Sequence, residues 1–445
     1  MSIKMNNIHW SFLFLLWGSI LIAQPTTNAP YSRLGIGDLE QQQFASNLGM
    51  GGLSAAFTSP VALNYRNPAS LSSLFSATYE VGLFASYTKL TKGDAESKLW
   101  DGNLNYLSLG FPMFNRINQE LDRDRKKINW GMQFTLMPYS TTAYDVLIEQ
   151  NDSISGTYAQ NFQGDGGTYE LAWSNGISYK NLALGLSIIR TFGSINSTHF
   201  TFFPDIDFGY RAIYQDDISL GAWRTNFGAM YTIPFYKENE DGTKVKTANR
   251  LVLGAHVKTG AKTKLESYRL HISENPFYPQ SARDTILFED GKEFEGRLPA
   301  EITTGFMFHN GNKLQFGVDV NMGLWENYED PVKQDELVNS WGVNAGIQFI
   351  PDINSYNNYA KKIRYRAGFI YQKDPRSIDT DITNIAFTLG FGLPIVLPRQ
   401  QTSYINTSVQ IGRFGSEEDI LQDYIKFNLG FTLNDNRWFF KRKFN

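Results

Sequence analysis

The chain of 445 residues has no cysteine. That removes disulfides, thiolate metal sites and thiol nucleophiles together. Histidine is scarce, with no H-E-x-x-H and no clustered His/Asp spacing, so no metal site is expected. A basic excess is missing too: 41 Lys plus Arg stand against 44 Asp plus Glu. Nucleic acid therefore finds no electrostatic footprint. Beyond Ala23 no uninterrupted apolar run is long enough for a membrane helix. A mean hydropathy of −0.32 excludes a helical membrane protein in any case. No nucleotide loop appears either. "NLGMGGLSAAF" (47–57) clusters Gly49, Gly51 and Gly52, but the third glycine of G-x-G-x-x-G is Ser54 and no buried strand precedes it. No cofactor is expected.

Aromatic side chains are abundant: 33 Phe, 23 Tyr and 9 Trp. With so modest a hydropathy, they suit strands that are apolar on one face only. The chain opens with "MSIKMNNIH", basic and free of acid, then apolar "WSFLFLLWGSILIA" (10–23), then polar "QPTTNAP". This reads as a secretory signal over residues 1–23, cleaved after Ala23. An uncleaved anchor is the alternative, because Leu21 is larger than the usual residue there.

From about residue 76 to 433 one pattern recurs. In "KLQFGVDVNMGLW", Leu314, Phe316 and Val318 alternate with Gln315, Gly317 and Asp319. "NIAFTLGFGL" and "YIKFNLGFTL" repeat it with Phe387 and Leu389, then Phe427 and Leu429. Period two places each set on its own strand face. Runs of about ten residues match a tilted membrane strand. A soluble sandwich and a membrane barrel both alternate. The polar side here carries Gly, Asn, Ala and Ser rather than the Lys, Glu and Thr of a solvated sheet, which favours a crowded barrel interior. Eleven further runs bring the count to about fourteen. The expectation is an all-β transmembrane barrel of about fourteen antiparallel strands. Leu314, Phe316, Val318, Phe387, Leu389, Phe427 and Leu429 should face lipid; Asp319, Asn321, Asn384, Lys426 and Asn428 should face the lumen.

Polar turns separate the runs, including Asn-Gly at 310–311. "NQELDRDRKKIN" (118–129) and "YKENEDGTKVKTANR" (236–250) read as solvated loops; "ENEDG" lacks the acid spacing of an EF-hand. Residues 271–299 read as the largest irregular region, placed to cover a pore mouth. Trp100, Trp130, Trp325, Trp341 and Trp438 fall near strand ends, as in an interface girdle or ordinary barrel packing. His199, His256, His271 and His309 read as interfacial or loop residues rather than catalytic bases, and no enzyme is expected; the face of His256 is left open. Lys441, Arg442 and Lys443 read as a basic tail, residues 434–445, unless the last strand lies nearer the end.

Residues 24–75 differ. They lack long alternation and are rich in Gly, Ala, Ser and Asn. Small residues let irregular backbone pack inside a barrel wall, where protein encloses it. The stretch "NLGMGGLSAAFTSPVALNYRNPASL" resembles the N-terminal plug of the outer-membrane long-chain fatty-acid transporter family (FadL/TodX-like). Gly49, Gly51 and Gly52 match its glycine stretch, and Asn67, Pro68 and Ala69 its Asn-Pro-Ala motif. "YSRLGIGDL" and the ending "LGFTLNDNRWFFKRKFN" look like the Bacteroidetes branch. The resemblance implies a fourteen-stranded barrel (76–433) with a plug (24–75) in its lumen, set among outer-membrane lipids. It further implies plug-gated passive uptake of hydrophobic, fatty-acid-like molecules. Relatives in Bacteroidetes also serve type IX secretion, so a non-transporting subunit of an outer-membrane protein machine, for secretion or barrel assembly, is the alternative. It would bind outer-membrane or periplasmic proteins. A continuous apolar lumenal pocket would favour uptake; a filled lumen would favour the subunit. Pro68 restricts Asn67 to extended geometry, which suits either a rigid turn or a gate.

Overall fold

The computed structural model of the protein describes residues 29–435, apart from 115–126, 153–155, 207–208, 240, 242–243, 279–282, 334, 378–379 and 398–400. The signal segment 1–23, Trp438, the tail with Lys441, Arg442 and Lys443, and most of the charged stretch 118–129 lie outside the described residues.

A two-residue β1 (Asp38–Leu39) precedes the wall. The wall begins with β2 (Ala77–Lys92), β3 (Ala95–Pro112), β4 (Ile128–Asp152), β5 (Gly156–Tyr179), β6 (Leu182–Phe202) and β7 (Arg211–Glu238). It continues with β8 (Lys244–Lys258), β9 (Ala261–Glu274), β10 (Arg283–Leu298), β11 (Glu301–Asn310), β12 (Leu314–Gly323) and β13 (Ser340–Phe349). It ends with β14 (Arg364–Lys373), β15 (Thr383–Leu397), β16 (Gln401–Gly415) and β17 (Leu421–Asp435). β8 and β9 lie end to end along β7, pairing Val257 with Phe227 and Thr263 with Ala222. β10 and β11 lie end to end beside them. Each such pair is one stave interrupted at Thr259–Gly260 or Pro299–Ala300. The wall is therefore a closed barrel of fourteen antiparallel staves, sealed where β17 meets β2 at Leu429 and Leu83. The fourteen alternating runs of the sequence are these staves, and β17 is the last.

On β6 the outward side chains Leu182, Leu184, Leu186, Ile188 and Phe192 are exposed, an apolar band about ten residues tall. Above it the outward positions turn polar, at Ser194 and Asn196. Arg190, whose guanidinium lies 5.4 Å from the ring of Trp223, marks the boundary. Yet β4 to β7 run 21 to 28 residues. The excess, with β9 and β10, rises as a sheet beyond the apolar band by about 30 Å at ~3.3 Å per residue. This corrects two expectations. The staves are not all ten residues long, and 271–299 is not irregular: His271–Glu274 closes β9 and Arg283–Leu298 is β10. Outside lipid neither face needs to be apolar, so the period-two signature disappears while the strand persists.

Residues 45–74 lie against the inner wall, where glycines admit them. A Cβ at Gly131 or Gly176 would overlap the carbonyl of Leu71 or Pro68; at Gly346 or Gly368 it would overlap Met50 or Gly51. Gly131, Gly176, Gly185 and Gly228 are register partners in sequence across four staves. Gly317, Gly346 and Gly368 repeat this across three more. The remaining staves meet the segment through side chains or close packing, as at Glu80 and Tyr106.

One seam interrupts the wall. β3 and β4 pair only from Leu107↔Leu136 to Pro112↔Gly131. Pro138 then removes a donor and fixes φ, and the β4–β5 register shifts between Pro138 and Ser140. Above that point β3 pairs only with β2, and β4 pairs with β5 on one side alone. The chain's own N-terminal segment meets the other side of β4, at Asp38↔Thr141 and Leu39↔Ser140.

Gly346→Val should force the Met50 backbone off the wall and cost about 1–3 kcal/mol, as overpacking does. The expected readout is a lower urea midpoint for the detergent-folded barrel, with earlier proteolysis of residues 29–75. An unchanged midpoint would mean that the contact carries no stability.

Candidate functional site

The glycine stretch makes a tight turn. Asn47 accepts from the backbone of Met50 and Gly52, and its amide donates to Leu53 O at 2.7 Å. Gly51 and Gly52 take φ of +65° and +76°, which side-chain-bearing residues rarely adopt. Gly49 packs on Gly390. The Asn67–Pro68–Ala69 motif starts a 3-10 turn. Asn67 Oδ1 accepts from Ala69 N at 3.1 Å, and its Nδ2 donates to Ala55 O at 2.6 Å. Asn226 of β7 donates to Arg66 O at 2.8 Å beside it. All six residues of the two motifs are buried.

The lumenal candidates separate by partner. Asp319 is 1% exposed; its Oδ2 accepts from Ser54 N at 2.6 Å and Ala55 N at 2.9 Å. Lys426 reaches Glu40 at 3.2 Å. Asn384 accepts from the Tyr424 hydroxyl, Asn321 donates to Asn344, and Asn428 is buried. On the opposite parity Phe316, Phe387, Leu389 and Phe427 are exposed, and Leu314, Val318 and Leu429 half-buried.

Two histidines correct the sequence reading. His256 and His309 are buried rather than interfacial, on inward positions of β8 and β11. His199 stacks on Phe162 with ring centroids 4.2 Å apart, and His271 sits in β9 beside Asp216. Trp325 is likewise no girdle residue: it is 3% exposed, in a core cluster with Tyr328 and Leu337. It follows β12 in a short 3-10 turn that folds inward. Ser54, His256 and Asp319 are the residue types of a catalytic triad, with Ser54 Oγ 3.4 Å from His256 Nε2. Asp319, however, binds the serine side and not the far imidazole nitrogen, so the relay order of a triad is absent. The three clamp the N-terminal segment to β8 and β12. Among the described residues no group of His, Asp and Glu is placed to hold a metal.

The largest polar constellation was not singled out from the sequence. Glu170 of β5, Arg224 of β7, Lys258 of β8 and Glu301 of β11 converge in mid-lumen. Lys258 Nζ lies 3.0 Å from Glu170 Oε2, and Arg224 Nη2 lies 3.3 Å from Glu301 Oε1. The N-terminal segment completes the cluster. Gln42 bridges Glu170 and Lys258 at 2.7 Å on each side, the Tyr65 hydroxyl donates to Glu170, and Arg66 faces Glu301 at 3.6 Å. Burial, then the Glu170 carboxylate, push the Tyr65 hydroxyl well above its ordinary pKa, so it stays a donor. Arg224 also donates to Thr259 O and Pro299 O, the carbonyls left by the two interrupted staves. A signal existed: each of the four strand residues is an ionisable group on an inward position of a membrane strand, costly unless partnered.

At the outer end, Arg376 pairs with Asp374 at 2.7 Å and with Asp38. Gly35 N donates to Asp335 at 2.8 Å, Lys333 Nζ donates to Gly35 O, and the Tyr31 hydroxyl donates to Ile420 O. The segment is thus pinned at both levels. Between it and the wall remain cavities of about 110 and 200 Å³, about half of whose lining residues are Gln, Asn, Glu, Arg or Lys, and one of about 370 Å³ beside Tyr31 and Leu34.

Glu170→Ala leaves Arg224, Lys258 and Arg66 with Glu301 as the one carboxylate of the cluster. Breaking a buried pair from one side costs about 3–5 kcal/mol. The expected result is a strongly lowered urea midpoint and release of the N-terminal segment to protease. Asn67→Ala should cost about 1–2 kcal/mol through the lost cap, measured the same way.

Solved barrels of the same architecture exist. The Ralstonia pickettii toluene transporter TbuX superposes with a TM-score of 0.53 at 12% identity, over 88% of this chain and 98% of that one. The Pseudomonas putida toluene transporter TodX gives 0.53 at 16%, over 90% and 99%. A Pseudomonas aeruginosa FadL homologue gives 0.53 at 12%, over 93% and 99%. Identities this low carry the fold alone. No curated protein matches the sequence. The BamG family profile matches residues 5–445, so the chain belongs to the BamG family.

Proposed function

We propose that this protein spans the bacterial outer membrane as a non-transporting barrel subunit of a protein machine, with residues 24–75 as a plug. One observation carries the reading: residues 45–74 touch every stave of the wall, so the lumen is filled. The two spaces beside Gln41, of about 110 and 200 Å³, fall below the ~300–1,000 Å³ of an ordinary ligand pocket. A mid-lumen cluster of three cations and two carboxylates repels a hydrophobic solute further. What the barrel offers instead is surface. The tall sheet of β4–β7, β9 and β10 stands above the apolar band, free to meet other chains. Residues 1–23, which read as an export signal, and the apolar band support the location. Asn67 and Pro68 act as a rigid turn in this reading and not as a gate.

Plug-gated uptake of hydrophobic molecules is the second reading. The seam above Pro138 favours it, together with a cavity of about 370 Å³ at its outer end, lined by Tyr31, Leu34, Val146, Ile148, Ile382 and Ile420 and rimmed by the charged Arg33, Lys92, Arg376 and Asp419. The fold shared with two toluene transporters supports it too.

Gentle extraction from the native membrane by an affinity tag, followed by mass spectrometry of proteins and lipids, separates the two. The subunit reading expects stoichiometric protein partners and no conductance from the isolated barrel in a planar bilayer. A lone barrel carrying one specific hydrophobic compound would overturn it.

A further inference from the structure

Among the described residues the seam leaves lengths of β3 and of β4 outside the ring of hydrogen bonds, that of β4 running from Leu147 to Asn151, and away from the seam β10 has a third open length, from Arg283 to Gly296, ending where Arg297 bonds Glu329. An open edge is a template for another strand, and proteins normally spoil it with bulges, charged side chains (lysine above all) or proline. β10 is spoiled: its register shifts twice, around Thr285/Leu287 and Glu289/Lys292, and it carries Gly291 and Lys292. β3 is spoiled by a shift opposite Gly82/Leu83 and by Lys98 and Gly102. β4 is spoiled least: from Thr142 to Asn151 it has no proline, glycine, lysine or register shift, its only charges are Asp145 and Glu149, and Leu147 and Ile148 are exposed.

Part of this edge is already used. Glu40 N donates to Tyr139 O, Ala29 N donates to Ala143 O, and Ala143 N donates to Ser32 Oγ. The backbone of the odd-numbered residues therefore points into the seam, and that of the even-numbered ones bonds to β5. By the same alternation Leu147, Glu149 and Asn151 present N–H and C=O groups to the seam. Val146 and Ile148 place their side chains in the apolar cavity beside it.

We propose that β4 from Leu147 to Asn151 is a docking edge for an extended segment of a partner protein, added as a β-strand. The partner presents apolar side chains toward Val146, Ile148, Leu34 and Ile382. A row of backbone donors and acceptors selects a polypeptide, because an acyl chain cannot satisfy it. The proposal rests on the reading of the barrel as a machine subunit and names the surface that reading leaves open.

The test places a photo-crosslinking amino acid at Leu147, at Glu149 and, for comparison, at Phe288 of β10, in the full-length protein in its native membrane. Crosslinks to a partner polypeptide are expected at 147 and 149 and not at 288. Leu147→Pro then removes one seam-facing N–H without touching the β5 ladder, a place where an edge strand tolerates proline. It should cut the crosslink at Glu149 about ten-fold, as the loss of roughly one strand hydrogen bond does. Leu147→Ala should leave it, and both variants should keep the heat-modifiable gel shift of a folded barrel. Crosslinking only to lipid, or back to the chain's own N-terminal segment, overturns the proposal. So does a partner that co-purifies yet crosslinks nowhere on β4 or ignores the proline; the subunit reading then survives. Absence of any co-purifying polypeptide removes that reading and this proposal together.

Discussion

The structure depends on close approach between two backbones. A barrel of fourteen staves encloses more space than side chains on its inner face fill. Here the remainder is taken by the main chain of residues 45–74, which reaches the wall only where the wall has no Cβ. The in-register glycines of β4 to β7 and of β12 to β14 are the mould of that segment. Remove the approach, and the caps, the Asp319 clamp and the mid-lumen ion cluster lose their geometry together.

The polar contacts follow from it. Irregular backbone inside a membrane wall must find partners for every N–H and C=O. Asp319, Glu80 and Thr388 supply them from the wall; Asn47, Asn64 and Asn67 supply them from within the segment. Charges brought into the lumen are paired for the same reason. Glu170 collects Lys258, Arg224, Gln42 and Tyr65, so one carboxylate ties two staves to two parts of the N-terminal segment.

Much of this was legible in the sequence, for a physical reason. Lipid imposes a strict period of two, so the fourteen alternating runs could be read from residue type alone. Where lipid ends the signal ends, and β10 and the last residues of β9 looked irregular although they are strand. The glycines were read as an excess of small residues, but their alignment across neighbouring staves needs the register. The ion cluster was missed because its four strand members alone spread over 131 positions, from Glu170 to Glu301, and only closure of the ring brings them together. Trp325 misled because a tryptophan at a strand end serves a membrane boundary and a buried cluster equally well.

The N-terminal segment is held at the outer mouth by Tyr31 and Asp38 and leaves at the opposite end, where Leu74 leads into β2. This has a consequence for biogenesis. Arg33, Asp38, Glu40 and Arg66 would have to pass a glycine-lined bore if the wall closed first. The wall must instead curl around a segment already in place, with the meeting of β2 and β17 as the last step. Assembly is a wrapping and not a threading. Because the segment precedes every stave in the chain, it emerges before the staves during export, and the order of synthesis supplies the order that the geometry requires.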